Sequence, residues 1–505
     1  MDKISRRRFL ATGVGAAAGI AVGATRASAA APPAFPSTPF ALGVASGDAL
    51  PTSVVLWTRL APKPDVEHYG MEGQPDTMPV HWRIATSTAN LAADSTSVDH
   101  GDFASVSDDV HSVHAIADGL SPGTAYVYQF FYTEPGSGKK WSSTVGHTHT
   151  TPAAGSTTPV RFAVVSCQTM GNVATPKYFN GYGYMSDNAA ALDIDFVVQI
   201  GDYVYADQTI STGGACQTLP DYRIRYGSCR LRSSAQRIHA STPFYSSPDD
   251  HEWWNDVHGA TPTAGGHSLE QFNWAIRAYW EHMPLRYRPT GPDAAGRRWA
   301  RFSRTIQWGS VLDLFLLDTR QYRTAPGTTS SATILGGTER QALPAAIAGS
   351  TGTWTALASQ VPLAAVNSST DKWVGYPYDR GLVTTALATA RANGTTPNAV
   401  VVSGDIHWGL VAKINKQGTS TFIGTEFVGP PMSSTASSTY TPNATIQHAF
   451  GLNGAPEQGF MLCDVSPTAW SSTYYLGHDV TNPTGAVRKS LTFRTVPGQV
   501  GATQV

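Results

Sequence analysis

An apolar run from Ile194 to Val198 leads into Gln199-Ile200-Gly201-Asp202-Tyr203-Val204-Tyr205. A run of this kind reads as a buried strand. Gly201 breaks it and lets the backbone turn tightly. An Asp and a Tyr three residues apart are then left at the strand's carboxyl end. In α/β sheets that edge is where ligands and chemistry gather. Both side chains offer oxygen, the donor that hard cations such as Ca²⁺ or Fe³⁺ take.

Three further blocks have the same character. Phe162-Ala163-Val164-Val165-Ser166-Cys167 is an apolar run ending in a thiol. Ser247-Pro248-Asp249-Asp250-His251-Glu252 is a dense polar knot, and Val400-Val401-Val402-Ser403-Gly404-Asp405-Ile406-His407 is an apolar run ending in Gly-Asp-x-His. Singly, each has an ordinary explanation. A Gly-Asp pair makes an Asx turn, and an acidic knot suits the positive start of a helix. Together, and in this order, the four blocks resemble the alkaline phosphatase D (PhoD-like) family of metallophosphoesterases. In that family they read as Ser-Cys, Gly-Asp-Tyr-x-Tyr, Asp-Asp-His-Glu and Gly-Asp-x-His.

The resemblance covers Leu42 to about Ser434. It implies a metallophosphoesterase-type mixed-sheet α/β sandwich flanked by helices, preceded by a small all-β, immunoglobulin- or fibronectin-like domain. It implies Fe³⁺ held by Cys167, Asp202, Tyr205 and His407, with one or two Ca²⁺ held by Asp202, Asp250 and Asp405. Asp202 is the bridging carboxylate, and His251 matches the position that protonates the leaving alkoxide. Asp249 is a further ligand or orients His251. Asn255 lies where the family often has an Asn pair; here the pair reads Asn255-Asp256. Arg320 and Arg323 resemble a family segment that clamps phosphate or forms a buried ion pair. Glu252 is expected to be structural, and Trp253, Trp254 and Trp373 to pack in the core or to shape the pocket mouth. A phenolate or thiolate ligand calls for a strongly Lewis-acidic ion, because a free phenol has a pKa of about 10.

Residues 1–29 read as an address: Ser5-Arg6-Arg7-Arg8-Phe9-Leu10 has the twin-arginine form, and Ala27-Ser28-Ala29 offers a cleavage site. The apolar part is diluted by Gly and falls short of the roughly 20 residues a membrane span needs. A partnership with the twin-arginine export machinery follows, with a secreted, periplasmic or cell-wall location. Removing that segment takes away five basic residues and one acid, leaving 30 basic against 35 acidic residues and a net of −5. No basic field remains for nucleic acid or an anionic membrane.

Residues 36–150 carry strand-like, aromatic-rich runs with Pro/Gly turns between them and no convincing helix, which suggests a β-sandwich. A Thr/Pro/Ala/Gly linker follows, and from Val160 to about 490 strands alternate with helical stretches, one of them over 271–283. Cys216 and Cys229, 13 apart in a Gly/Ser/Tyr-rich loop, are expected to form a disulfide in an oxidising compartment. Cys463 is a small hydrophobe or a partner for Cys167. The expected function is an exported phosphoesterase acting on phosphomonoesters and phosphodiesters. The rivals are a phospholipase D-type phosphodiesterase and a non-catalytic phosphate- or metal-binding protein.

Overall fold

The computed structural model describes residues 32–210, 213–394, 399–435, 443–450, 457–499 and 501–505. The twin-arginine segment lies outside the described residues. The strands Val160–Val165, Phe196–Gln199 and Phe244–Ser246 run parallel and adjacent. They lie inside a sheet of ten described strands, with Gln458–Ser466 antiparallel on the Val160–Val165 side. A second sheet, of seven described strands, has Leu312–Leu316, Trp354–Ala358, Ala399–Ser403 and Phe422–Val428 parallel at its centre.

Side chains alternate across each strand, and the core shows where they go. Phe162, Val164 and Val198 meet Leu312, Leu314, Trp354 and Val402 in a core shared by the two sheets. Ala163, Val165 and Val197 face the other way, beneath the helices Asn180–Asp187, Leu219–Arg230 and Leu269–His282. Phe315, Leu357 and Val401 do the same beneath Gly336–Ala348 and Pro377–Ala392. Strands covered on both faces read as continuous apolar runs, which is why the sequence shows no alternation there. The helix expected over 271–283 is Leu269–His282. Ser268 caps it by accepting from the Gln271 amide at 3.0 Å, and Met283, held extended before Pro284, ends it.

Residues 36–150 are strands and short 3₁₀ turns. Thr77–Ala85, Asp99–Val106, Ala125–Thr133, Lys140–Ser142 and Gly146–His149 form a sheet of their own. Val44–Gly47, Ser53–Arg59 and Ser112–Asp118 instead extend the ten-stranded sheet, joining it where Gly47 pairs with Phe244. Only glycine fits there, because a Cβ on Gly47 would lie 2.4 Å from the Phe244 carbonyl oxygen.

The expected Cys216–Cys229 disulfide is absent: all four cysteines are unpaired and buried. Cys229 is not in a loop. It lies in the last turn of the helix Leu219–Arg230, with its sulfur 3.3 Å from Gln168 Nε2. Both cysteines fill the helix-side core as small apolar side chains. Cys463 accordingly has no bond to Cys167, and its sulfur lies 3.7 Å from Ser472 Oγ.

Candidate metal centre

The four sequence blocks meet at one place because the parallel strands of both sheets end at the same edge. Cys167 follows Val160–Val165, Asp202 follows Phe196–Gln199, Asp249 to His251 follow Phe244–Ser246, and Asp405 and His407 follow Ala399–Ser403. The turns are stitched together by main chain. The Cys167 amide donates to Gly201 O at 3.2 Å and the Gln168 amide to Asp202 O at 2.9 Å. The late loop closes over them, with the Ser434 amide donating to Cys167 O at 3.0 Å.

The two motif glycines are there for space. A Cβ on Gly201, whose φ is 110°, would lie 2.2 Å from Asp249 Cβ. A Cβ on Gly404 would lie 2.4 Å from Ser166 Oγ. Four candidate ligand residues also hold left-handed backbone: Cys167 (φ 57°), Asp202 (55°), Asp405 (68°) and His407 (58°). Such conformations cost of order 1–3 kcal/mol each and persist at functional sites where the surroundings over-determine them.

One side of the centre carries softer donors. Cys167, Asp202 and His407 bring donor atoms within 4.8 Å of one another. Tyr205 Oη donates to Asp202 Oδ2 at 3.0 Å, lies 3.2 Å from His407 Nε2 and accepts from Ser434 Oγ at 2.6 Å. Burial, reinforced by the Asp202 charge, holds the Cys167 thiol and the Tyr205 phenol well above their ordinary ranges. Burial lowers His407 to about 4, so its imidazole is neutral. Without a cation, this side keeps its protons.

The other side is built from carboxylates. Asp249, Asp250 and Asp405 form one group within 4.8 Å, and Asp202, Asp250 and His251 another, so Asp202 belongs to both halves. Behind them sits Arg320, wholly buried. Its Nε bonds Asp249, and Nη1 and Nη2 fork onto Asp371 at 2.8 and 2.9 Å. Nη2 also lies 3.5 Å from Asp250 and 3.8 Å from Asp405. Burial alone would raise Asp250, but Arg320 and His251 outweigh it and hold the carboxyl at about 2. Asp250 Oδ1 is buried with no hydrogen-bond partner, an orphaned oxygen that suits a hard cation. Glu252 is structural, as the sequence suggested. Its carboxylate accepts from the amides of Asp202 (3.1 Å), Tyr203 (2.5 Å) and Asp249 (2.9 Å), tying two of the turns together.

Asp202, Asp250, Asp405 and His407 line a cavity of about 610 Å³. His251 is at its wall, with its ring stacked 4.1 Å from that of Tyr205. Its Nδ1 lies 2.9 Å from both oxygens of Asp207. Burial disfavours the imidazolium, yet Asp202, Asp250 and Asp207 outweigh it and raise His251 to about 11. Asn255 also lines the cavity, and its amide donates to Asp207 Oδ2 at 2.9 Å. Trp253 packs in the helix-side core and Trp373 beneath the second sheet's helices.

Sequence reasoning missed Asp207, Asp371, Lys372 and Ser434. Asp207 lies two residues beyond Tyr205 and was within reach of the motif. Asp371 and Lys372 sit in a connection with no apolar period. Their role comes from the fold, which brings Lys372 Nζ onto Asp405 Oδ2 and within 3.3 Å of Asp371.

The sequence model of the PhoD-like phosphatase family matches residues 162–474, and that of the PhoD-like phosphatase N-terminal domain matches 25–152. Alkaline phosphatase D of Bacillus subtilis (strain 168) is 33% identical over 559 aligned positions, spanning 100% of this chain and 90% of that protein. A solved structure of PhoD superposes with a TM-score of 0.81 at 31% identity, covering 94% of this chain and 93% of that one. The purple acid phosphatase PPD1 from seeds of yellow lupin (Lupinus luteus) gives 0.56 at 13% identity, covering 91% and 75%. At that identity the likeness is one of fold.

Proposed function

The chain belongs to the PhoD-like phosphatase family and is a phosphoesterase of the alkaline phosphatase D kind, and on that footing we propose an exported, metal-dependent enzyme that hydrolyses phosphomonoesters and phosphodiesters. The observation that carries this reading is the position of Asp202, whose carboxylate shares donor-atom distances with both halves of the centre. Cys167, Asp202, Tyr205 and His407 would hold Fe³⁺, and Asp202, Asp250 and Asp405, with Asp249 beside them, would hold Ca²⁺. When bound, such ions supply Lewis acidity, neutralising phosphoryl oxygens and acidifying water.

The chain's own groups do the rest. Asp207 fixes His251 through Nδ1, leaving Nε2 as the proton donor to the departing alkoxide. A general acid of this kind contributes about 10²- to 10⁴-fold. Arg320 has no place on the cavity wall, and its role is to align Asp249 and Asp371 and to keep Asp250 and Asp371 charged. Of residues 36–150, the five-stranded sheet takes no part in the centre, while Val44–Gly47, Ser53–Arg59 and Ser112–Asp118 extend the ten-stranded sheet. Residues 1–29 take the folded chain through the twin-arginine machinery to the secreted, periplasmic or cell-wall space. No described helix is long and apolar enough to cross a membrane.

The test is made on protein exported by its own signal and purified without added metal. Elemental analysis is expected to find iron with calcium, and p-nitrophenyl phosphate and its bis ester are expected to turn over. Zinc or manganese in place of iron would overturn the ion assignment alone. Full metal loading without turnover of either ester would favour a phosphate- or metal-binding protein. Release of choline from phosphatidylcholine, without turnover of either p-nitrophenyl ester, would favour the phospholipase D-type reading.

A further inference from the structure

Among the described residues that line the cavity, Lys372 is the one Lys or Arg. It arrives from the connection between the strands Trp354–Ala358 and Ala399–Ser403, one residue before the 3₁₀ turn Trp373–Gly375. Its neighbours in sequence, Asn367, Ser368 and Ser369, line the same wall. Its Nζ is ion-paired with Asp405 Oδ2 and lies 3.3 Å from Asp371 Oδ2.

A simple ion pair does not account for this placement. Asp371 already takes a two-pronged bond from Arg320 and a further one from Arg323 Nη1 at 2.6 Å, so its charge is balanced without Lys372. Asp405 is 3.8 Å from Arg320 and is one of the three grouped carboxylates. Any cation held by that group competes with Nζ for Asp405. The flexible lysine stem would then let the ammonium turn to the open side of the cavity. Arg320 and Arg323 cannot do this, because both are fully buried and spent on Asp249, Asp371 and main-chain oxygen.

We propose that Lys372 is a specificity-determining residue that binds the outward-facing phosphoryl oxygen of the substrate and so favours phosphomonoester dianions over phosphodiester monoanions. A monoester has three non-bridging oxygens and a second negative charge at alkaline pH; a diester has two and one charge. An ammonium at the cavity wall is complementary to the additional charged oxygen, and it loses most of that partner when the oxygen carries a second ester group. This assignment deepens the phosphoesterase reading and rests on it.

The experiment compares kcat/KM for p-nitrophenyl phosphate and bis-p-nitrophenyl phosphate in metal-loaded wild-type, K372M and K372R proteins. Iron and calcium contents are measured in each, and inorganic phosphate binding is measured by calorimetry. K372M is expected to lower the monoester-to-diester ratio at least tenfold and to weaken phosphate binding by a similar factor, with metal content unchanged. K372R keeps the charge and is expected to stay within about threefold of wild type in the ratio. Equal losses on both esters, or loss of calcium from K372M, would make Lys372 a support of the carboxylates and overturn the proposal. Should K372M not fold, a K372Q protein serves the same comparison. A wild-type protein that turns over neither ester sinks the phosphoesterase reading itself, an outcome separate from any result on Lys372.

Discussion

The two halves of the centre lie on the same edge of the fold and are prepared differently. Around Cys167, Tyr205 and His407 the donors are buried and neutral, and among the described residues no lysine or arginine bonds them. Around Asp249, Asp250 and Asp405 the donors face Arg320 and Lys372, and Asp250 is charged in advance. The first half needs an ion strong enough to displace protons from a thiol and a phenol. The second needs only one that can compete with fixed cations. On the two-ion reading, a single uniform site would not discriminate between two kinds of ion, whereas this asymmetry would, through donor softness on one side and charge on the other.

Asp202 is where the halves join, so its loss tests both at once. Asp202→Asn is expected to lower kcat/KM by at least about 10³-fold, on the scale seen when a member of a cooperating catalytic set is removed. Elemental analysis is expected to find both ions depleted. Retention of either at full stoichiometry would mean that the halves do not share this carboxylate.

Substitutions confined to one half separate them. Arg320→Met leaves buried carboxylates without their cation and is expected to cost about 3–5 kcal/mol in chemical denaturation, with calcium lost before iron. Cys167→Ser is expected to weaken iron binding by at least the roughly 10- to 100-fold that losing an outer-shell partner costs, while calcium stays. A Cys167→Ser protein that lost calcium first would reverse the assignment of the halves.

The pH dependence of the metal-free protein follows from His251. His251 rises from 6.5 to about 11. A group raised in the folded state contributes its stability fully below its unfolded pKa and loses it as pH climbs through the folded value. The metal-free Tm is therefore expected to fall relative to the metal-loaded Tm as pH rises from 6 to 9. A gap that narrowed over that window would show that His251 is not protonated in the empty fold. Smallest of all is the effect of reductant. With Cys216 and Cys229 unpaired, dithiothreitol is expected to leave Tm unchanged, where a native disulfide would contribute about 2–4 kcal/mol. A thiol count on denatured protein should find all four cysteines free.

The candidate ligands were legible because each follows an apolar strand and two follow a motif glycine, so local pattern and chemistry coincide at Cys167, Asp202, Asp250, Asp405 and His407. The helix at Leu269–His282 was legible through its period and its stop before Pro284. The Cys216–Cys229 pairing failed because spacing says nothing about direction: Cys229 lies in a helix, where its sulfur meets Gln168. The strands Val44–Gly47, Ser53–Arg59 and Ser112–Asp118 read as β, but nothing in their pattern says which sheet they join.

By itself the sequence determined which residues end strands, which glycines bend the chain, and which side chains offer oxygen, sulfur or nitrogen to a cation. These are local properties, set by residue type and near neighbours. Tertiary structure alone decided that Arg320 turns inward to four carboxylates, that Asp207 holds His251, and that Lys372 reaches Asp405 from a separate connection. Those pairings join residues tens of positions apart. Charge carries no sequence period, so only the packing of two sheets against each other brings such groups within bonding distance.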